Sequence, residues 1–326
     1  MKKILTFLIA FTIILTTLGC DKNTNLEGGE NDLVTFNDTN LNITTNDLYE
    51  KLKAKYGVNF LIDMIDTNIL NEEYPDDEEI EDYATIQIDS LKNYYSTEAE
   101  FLEYINSYGY EDEEELKDYF KLNYKRNLAV YDYLETLISD EDIQKYYDEK
   151  ISGDITGSHI LIEVNLTDSM TEEEKRTAKE EALEKAEEAI QKLEDGESFE
   201  NVARDYSDDT ENYDNGGSMG TFASLDLDDV TRQEFARLEV GSYSTTPVET
   251  EYGYEIFLKV AEKEKPSLES VKTRIIKNIS DEKLTADSTL QYEGIAAMRE
   301  KYGFKIQDED LEIYYENTMN NLLAGE

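Results

Sequence analysis

The sequence predicts an α+β protein in which a mixed strand-and-helix domain is inserted into a mainly α-helical chain. Two observations carry this prediction. Apolar residues recur at helical spacing before residue 150 and again after residue 267. Between these regions, strand-like runs at residues 158–162 and 254–260 bracket helical segments and a Gly216-Gly217 loop. A chain of 326 residues has room for two or three such domains.

The charge balance excludes several classes of partner. Lys and Arg total 31 against 76 Asp and Glu, which gives a net charge of −45. So strong a negative field argues against binding to nucleic acid and against charge-driven binding to anionic lipid. The single cysteine excludes a disulfide within the chain, and one histidine with one cysteine argues against a structural zinc site. No cofactor is implied.

The N-terminus is typical of an export signal. Lys2 and Lys3 precede an apolar run of 15 residues, 4–18, which is shorter than the roughly 20 residues of a membrane span. The run ends at Cys20, in a context that resembles a lipobox, although Thr17 and Leu18 depart from the usual pattern. We therefore predict a signal peptide at residues 1–19 and lipid attachment at Cys20, followed by a polar tether at 20–32. Ordinary cleavage and an uncleaved anchor are the alternatives.

Residues 33–152 are predicted to form an N-terminal helical domain that begins with a short strand at 33–36. The helix starts are placed by capping residues or acidic runs, and the stops by Gly or Pro. No helix is predicted between Tyr94 and Glu111. The start signals are Thr44 or Thr45, Asp76 to Glu79, Glu111 to Glu115, and Ser139-x-x-Asp142; the stops are Gly57 and Pro75.

Residues 154–262 are predicted to form the central domain, with a joint at residues 153–157. Thr171-x-x-Glu174 is a capping box for a long helix, and Ser198 caps a short one. Alanines along the long helix favour close packing on a sheet. A further strand is predicted at residues 246–248, so the order is β-α-α-α-β-β. Residues 264–326 are predicted to be helical, with one helix running from Leu268 past Met298 and a last helix capped by Asp308.

The landmarks of the central region, taken together, resemble a parvulin-type peptidyl-prolyl isomerase domain. The flanking regions extend the likeness, so the whole chain resembles the extracytoplasmic foldase lipoproteins of the PrsA family. This resemblance implies that the first and last strands of the domain are neighbours and that the C-terminal helices pack on the N-terminal domain. The landmarks are the strand with His159, Gly196-x-x-Phe199, Tyr206-Ser207, Gly216-Gly217-Ser218-Met219-Gly220, Gly241-x-x-Ser244, residues 247–250 and Tyr252-Gly253-Tyr254-Glu255-Ile256.

The resemblance also implies a catalytic set. Parvulins carry a hydrogen-bonded histidine pair, a Cys or Asp that faces the twisting bond, and an apolar pocket for proline. His159 matches the first histidine and Asp209 the Cys-or-Asp position. Met219 matches a pocket leucine, Leu227 falls near the pocket methionine, and Thr250 matches a hydroxyl beside the histidines.

Three departures from the family pattern bear on activity. Glu255 stands where the second histidine is expected, and we predict that it forms a charge-assisted hydrogen bond that favours protonated His159. Ser218 replaces the usual Asp of the glycine motif. The pocket phenylalanine has no clear counterpart: Phe235 fits only with a shift in register, and otherwise Val230 or Thr231 falls near that position.

The sequence therefore predicts a lipid-anchored foldase on the outer face of the cell membrane. Its helical body would hold unfolded or partly folded exported proteins, and its central domain would isomerise X-Pro bonds. The resemblance allows a homodimer. One alternative is a holdase with a catalytically degenerate parvulin domain. Another is a surface interaction protein that uses its acidic helices as an adhesive face.

Overall fold

The computed structural model describes residues 29–37 and 41–325. Cys20, the apolar leader and most of the predicted tether lie outside these ranges. The described chain forms two compact units. The helical unit contains the residues up to Val130 and those from Gln291 on, and the sheet unit is Tyr131–Leu290. In chain order the elements are β1 (Asp32–Val34), β2 (Ile43–Thr44), α1 (Thr45–Leu52), α2 (Val58–Glu73), α3 (Glu78–Lys92), α4 (Glu98–Ser107), α5 (Glu113–Thr136), α6 (Asp140–Lys150), β3 (Ile155–Glu163), α7 (Glu172–Glu194), α8 (Phe199–Tyr206), β4 (Ser218–Phe222), α9 (Asp229–Arg237), β5 (Val248–Glu249), β6 (Gly253–Glu262), α10 (Leu268–Ala286), α11 (Leu290–Tyr302) and α12 (Glu309–Ala324).

The capping signals read from the sequence are confirmed. Thr44, Ser139 and Thr171 each close a capping box at the start of α1, α6 and α7. Asp77 and Asp308 accept hydrogen bonds from backbone N–H groups in the first turns of α3 and α12. These side chains satisfy donors that have no partner inside the helix, which is why short polar residues mark helix starts.

Three sequence-based predictions of helix boundaries are wrong. Gly57 does not end a helix: its φ of −57° is helical, and a π turn at Lys53–Gly57 joins α1 directly to α2. Helix α4 was not predicted, although Thr97 caps it by accepting a hydrogen bond from the Glu100 N–H. The C-terminal helix breaks at Asp287, whose carboxylate accepts hydrogen bonds from the Thr289 N–H and hydroxyl. Such local bonds compete with the helical ladder.

A buried ion cluster joins four helices of the helical unit. Asp66 on α2 is 1% exposed. Its carboxylate accepts two hydrogen bonds from the Arg299 guanidinium of α11, at 2.7 and 2.8 Å, and one from Arg126 of α5 at 2.8 Å. Arg299 also reaches the Tyr315 hydroxyl on α12 at 3.4 Å. Each buried charge therefore has an opposite charge or a hydrogen bond to offset its loss of water.

The sheet unit contains a four-stranded antiparallel sheet in the order β4-β3-β6-β5. Strands β3 and β6, the first and last of the central domain, pair from Ile155↔Glu262 to Glu163↔Gly253, which confirms the predicted neighbours. Strand β4 was not predicted. The predicted joint at residues 153–157 is partly wrong, because β3 begins at Ile155. Helices α6 and α10 pack together in the same unit, so the predicted domain boundaries near residues 153 and 263 fall inside it.

Strand alternation gives the sheet two different faces. One face carries Ile160, Ile162 and Ile256, which pack against α7 and α8. Alanines on α7 permit this close approach: Ala186 and Ala189 are fully buried. The opposite face carries the polar residues singled out in the sequence. Among the described helices, none combines the length and the hydropathy that are needed to span a membrane.

Candidate active site

The pairing of β3 with β6 brings His159 and Glu255 together. His159 lies opposite Phe257, and Glu255 lies opposite Leu161, two residues further along the same pair of strands. Side chains two residues apart on a strand share a face, so the imidazole and the carboxylate are diagonal neighbours. The register of the two strands therefore creates this contact.

Two carboxylates hold the imidazole of His159, one on each ring nitrogen. The Nδ1 atom lies 2.6 Å from Glu255 Oε2, and the Nε2 atom lies 2.7 Å from Asp209 Oδ2. A carboxylate only accepts, so both hydrogen bonds form together when both ring nitrogens carry a proton. The predicted hydrogen bond between His159 and Glu255 is confirmed, and the two contacts suit a ring that is protonated on both nitrogens.

Asp209 reaches His159 because the α8–β4 loop is attached to the edge of β3. The Asp208 N–H donates to the Leu161 carbonyl at 2.7 Å, and the Ser207 hydroxyl accepts from the Leu161 N–H at 3.1 Å. These bonds continue the sheet where β4 does not cover β3. They fix the two residues that precede Asp209 and thereby help to aim its side chain at the ring.

Two donors besides His159 hold the Asp209 carboxylate. The Glu211 N–H donates to Oδ1 at 3.0 Å, and the Asn212 amide donates to Oδ2 at 2.9 Å. The sequence analysis did not identify either residue. The signal available was the run of Asp, Glu and Asn at this point, since Asp accepts hydrogen bonds from the chain two residues on in a tight turn.

Gly217 brings the glycine loop against the backbone of His159. The His159 N–H donates to the Gly217 carbonyl at 2.8 Å. The φ of Gly217 is +69°, and a Cβ atom there would lie 2.0 Å from the His159 carbonyl oxygen. Only glycine permits both the left-handed backbone and this close approach. The Gly-Gly pair therefore fixes where β4 starts relative to the histidine.

Thr250 completes a chain of four hydrogen-bonded side chains. Its hydroxyl donates to Glu255 Oε1 at 2.8 Å, while Glu255 Oε2 faces His159. We call Asp209, His159, Glu255 and Thr250 the site chain. The predicted site residues with polar side chains are all in it, so the sequence positions that match the family pattern meet in space.

The charges of the site chain shift two pKa values in opposite directions. Burial alone would lower the pKa of His159, but the hydrogen bonds that its ring donates to Glu255 and Asp209, reinforced by the charges of these carboxylates, raise it above 6.5. For Asp209, burial acts to raise the pKa, but the hydrogen bonds from His159, Asn212 and the Glu211 N–H lower it below 3.8. The ion pair is therefore favoured over its neutral form.

An apolar cluster lies on the same face of the sheet, next to the site chain. Its floor is Ile155, Phe235 and Phe257, all nearly or fully buried. The Phe257 ring is stacked with the imidazole of His159 at a centroid distance of 6.4 Å, so the cluster and the site chain are in contact. Half-buried side chains surround the floor: Met219, Phe222, Leu227, Leu238 and Val248.

The structure shows which of the three candidates for the pocket phenylalanine lies in the apolar cluster. Phe235 is in the cluster and is fully buried, whereas Val230 is 43% exposed and Thr231 is not part of the cluster. Gly157 makes room for it, since a Cβ there would lie 2.6 Å from the Phe235 ring. The predicted Met219 and Leu227 both line the cluster. Phe222 was missed because β4 was not recognised as a strand.

The site offers little to a metal ion. In residues 29–37 and 41–325, no three His, Cys, Asp or Glu side chains are grouped so that they could hold one. The two carboxylates at His159 are already engaged by its ring nitrogens. The chemistry available is that of a charged hydrogen-bonded chain beside an apolar surface.

Comparison with known proteins agrees with this geometry. Residues 159–261 match the rotamase family described as the PPIC-type PPIASE domain. The foldase protein PrsA of Geobacillus kaustophilus is 30% identical over 275 residues, which cover 84% of this chain and 86% of that protein. The chain belongs to the PrsA foldase family. PrsA of Bacillus subtilis is 29% identical over 318 residues, covering 95% of this chain and 93% of that protein.

The likeness to PrsA extends to the fold. The crystal structure of foldase protein PrsA from Streptococcus pneumoniae matches with a TM-score of 0.55 at 22% identity, covering 88% of this chain and 98% of the other. This PrsA family member therefore has a PPIC-type parvulin domain within a mainly helical body. Within that domain Glu255 is hydrogen-bonded to His159, and the protein is a foldase with a peptidyl-prolyl isomerase domain.

Proposed function

We propose that this protein is a lipid-anchored foldase on the outer face of the cell membrane, and that its parvulin domain isomerises X-Pro bonds in unfolded or partly folded exported proteins. The observation that carries the proposal is the contact of the site chain with the apolar cluster. A prolyl isomerase needs both parts: a surface for the proline ring and polar groups beside the amide that twists.

The reaction requires no covalent step. Rotation about the X-Pro bond gives up amide resonance, and for a peptide bond the barrier is about 18–20 kcal/mol. A catalyst lowers it by binding the twisted amide more tightly than either planar form. In this protein Met219, Phe222 and Leu227 would hold the proline ring. The charged His159, held between its two carboxylates, would supply a fixed field beside the amide.

Glu255 is expected to reduce catalysis without abolishing it. It keeps β3 and β6 joined at the site, as a second histidine would, but it adds a negative charge and retains the proton on His159. Asp209 is also engaged on both oxygens. These two observations favour the second candidate function, a holdase that keeps the parvulin fold as a peptide-binding module.

Proline-limited refolding separates the two candidates. The wild-type chain should accelerate refolding of a substrate protein whose slow phase is prolyl isomerisation, which takes about 10–100 s uncatalysed. Glu255→His should increase the rate. Asp209→Ala should decrease it, and Met219→Ala should weaken substrate binding. Melting curves must first establish that each variant is folded, because Met219 packs against the apolar cluster, and loss of a fully buried Met side chain costs about 2–5 kcal/mol.

One combination of results would reject the isomerase. If the wild-type chain at high concentration never exceeds the uncatalysed rate, and Glu255→His does not restore activity, the domain is not a catalyst. Suppression of aggregation by the same wild-type preparation, with no change in the refolding rate, would then support the holdase.

The anchor has its own test. Cys20→Ala should release the protein into the medium or leave the leader uncleaved, because lipidation at this thiol would provide the membrane attachment. Mass spectrometry of the membrane-bound wild-type protein should find Cys20 acylated at the mature N-terminus. An unmodified Cys20 there would rule out the lipid anchor, and it would leave the isomerase proposal untouched.

A further inference from the structure

One chain segment contributes several of the side chains around the apolar cluster, and all of its charged residues are acidic. Residues 205–231 include Asp209, Met219, Phe222 and Leu227, and they contain no Lys or Arg. A substrate that enters this pocket therefore meets negative charge on the loop before β4 and on the loop after it. The carboxylates of the segment are Asp205, Asp208, Asp209, Glu211, Asp214, Asp226, Asp228 and Asp229.

Part of this charge is neutralised by neighbouring cations. Lys185 binds Asp208 at 3.0 Å, Arg274 binds Asp226, and Arg232 binds Asp229. The buried Lys259 beneath the cluster is occupied by the Phe235 and Leu238 carbonyls, at 3.0 and 3.1 Å. These cations are thus already paired and do not cancel the charge of the remaining carboxylates.

Three exposed carboxylates beside the site have no cation within 4 Å among the described residues. Glu211 is one hydrogen bond away from Asp209, through its N–H. Asp228 directly follows Leu227 and caps α9. Glu251 follows Thr250 in the β5–β6 turn. Each is therefore the immediate neighbour of a residue of the site chain or of the apolar cluster.

An exposed aromatic ring lies beside these carboxylates. Tyr252 is 58% exposed, and its N–H donates to the Thr250 hydroxyl at 3.3 Å. A hydrogen bond to Glu251 raises the pKa of the Tyr252 phenol, and the nearby charges of Glu255 and Asp228 add to the effect. An aromatic face with carboxylates around it is an environment that attracts an ammonium or guanidinium group.

We propose that Glu211, Asp228, Glu251 and Tyr252 form a cation-selective border to the proline pocket, so that the preferred substrates carry Lys or Arg next to the proline. This inference rests on the proposed isomerase function and names its substrate class. The negative field raises the local concentration of cationic segments, and a desolvated side chain next to proline gains directly from the border.

The test compares peptides that differ only in charge next to proline. The full chain is assayed on capped tetrapeptides with Lys, Leu or Glu before the proline, and on a second set with the same residues after it. We expect kcat/KM for Lys to exceed that for Glu by about tenfold at low salt, in at least one of the two sets. At about 1 M salt the ratio should approach one, because exposed charges are screened.

Neutral variants assign the preference to the border. Glu211→Gln, Asp228→Asn and Glu251→Gln are combined; Asn is chosen at 228 because it still caps a helix. The Lys-to-Leu ratio should fall towards one in the triple variant and remain in Glu187→Gln, which removes a charge from α7 on the other face of the sheet. A ratio that stays high in the triple variant overturns the assignment.

The possible failures are distinguishable. Equal catalysis of Lys, Leu and Glu peptides at low salt overturns the cation preference and leaves the isomerase in place. If no peptide is catalysed, the isomerase proposal fails, and fluorescence anisotropy of the labelled peptides then decides the preference by binding alone. Equal affinity for Lys and Glu peptides in that measurement also overturns the inference.

Discussion

Two buried clusters of opposite charges can be compared in this protein. In the helical unit, Asp66 is held by the guanidinium groups of Arg126 and Arg299. In the sheet unit, His159 is held by Asp209 and Glu255. Both clusters link elements that are far apart in sequence, and both satisfy their buried charges with hydrogen bonds. They differ in which partner can lose its charge.

This difference separates a structural cluster from the one that we propose to be functional. Arginine stays protonated at any pH at which the protein is folded, so the two guanidinium groups around Asp66 keep their charge. An unperturbed imidazole titrates near neutral pH, so modest changes in its surroundings change the charge of the site. Moreover, the His159 ring is stacked on Phe257 of the apolar cluster, whose half-buried rim we propose as the surface for the proline ring. Burial and pairing alone would not distinguish the two clusters.

The largest effect is expected from Asp66→Ala. This change leaves the guanidinium of Arg299 buried without its anion, and breaking such a pair costs about 3–5 kcal/mol. Urea unfolding of the full chain, with hydrogen exchange at α2 and α11 to locate the loss, measures it. Asp63→Ala is the control, because Asp63 also binds Arg126, at 2.6 Å, but is half exposed. A cost for Asp66→Ala no larger than that for Asp63→Ala would contradict this account.

The stability of the sheet unit should depend on pH through His159. Because its folded-state pKa is raised, His159 contributes its full stabilisation below the unfolded pKa of about 6.5 and loses it as pH rises through the folded pKa. Each unit of separation between the two pKa values is worth about 1.4 kcal/mol.

Unfolding of wild type and His159→Gln between pH 6 and 9 checks this prediction. The difference in unfolding free energy should shrink as pH rises. Asp209 affects stability at acid pH. Its pKa is lowered in the folded state, so its contribution to the free energy of unfolding is present above pH about 3.8 and is lost as pH falls through the folded pKa. A difference between wild type and His159→Gln that stays constant from pH 6 to 9 would mean that folding does not raise the pKa of His159.

Glu255→Gln sharpens the comparison further. The amide can still hydrogen-bond to His159 and to Thr250, but the negative charge that favours the imidazolium is gone. We therefore expect the pKa of His159 to fall and the loss of stabilisation to begin at lower pH. NMR titration of the single histidine reports this directly, since no other imidazole is present in the chain. An unchanged or higher pKa would exclude the charge of Glu255 as a cause.

Thr250→Val should have the smallest effect. It removes the hydrogen bond to Glu255 and the longer one from the exposed Tyr252 N–H, and we expect a cost of about 1 kcal/mol. Thr156→Val is the matched control, because the Thr156 hydroxyl pairs with Thr221 on an exposed part of the sheet. Urea midpoints should fall more for Thr250→Val than for Thr156→Val. The reverse order would indicate that the hydrogen bond at Glu255 contributes nothing beyond an exposed one.

The sequence by itself determined the features that depend on local chemistry. Helix starts at Thr44, Ser139 and Thr171 follow from side chains that bond to the next turn, so neighbouring residues contain the information. The family resemblance also selected His159, Asp209, Glu255 and Thr250, and the structure joins these four side chains by hydrogen bonds. Local signals gave the wrong helix boundary where the backbone packs against a distant segment. Gly57, for example, stays helical, with the Leu311 side chain beside it.

Only the tertiary structure decided how the candidates are joined. The contact of His159 with Glu255 depends on the register between β3 and β6, which lie about a hundred residues apart in the chain. The place of Phe235 depends on a cavity that Gly157 leaves open on another strand. Strand β4 exists because β3 offers it an edge, and its own sequence carries little strand signal. A hydrogen-bonding edge, a register and a cavity are properties of pairs of distant segments, so they become visible only when the chain is folded.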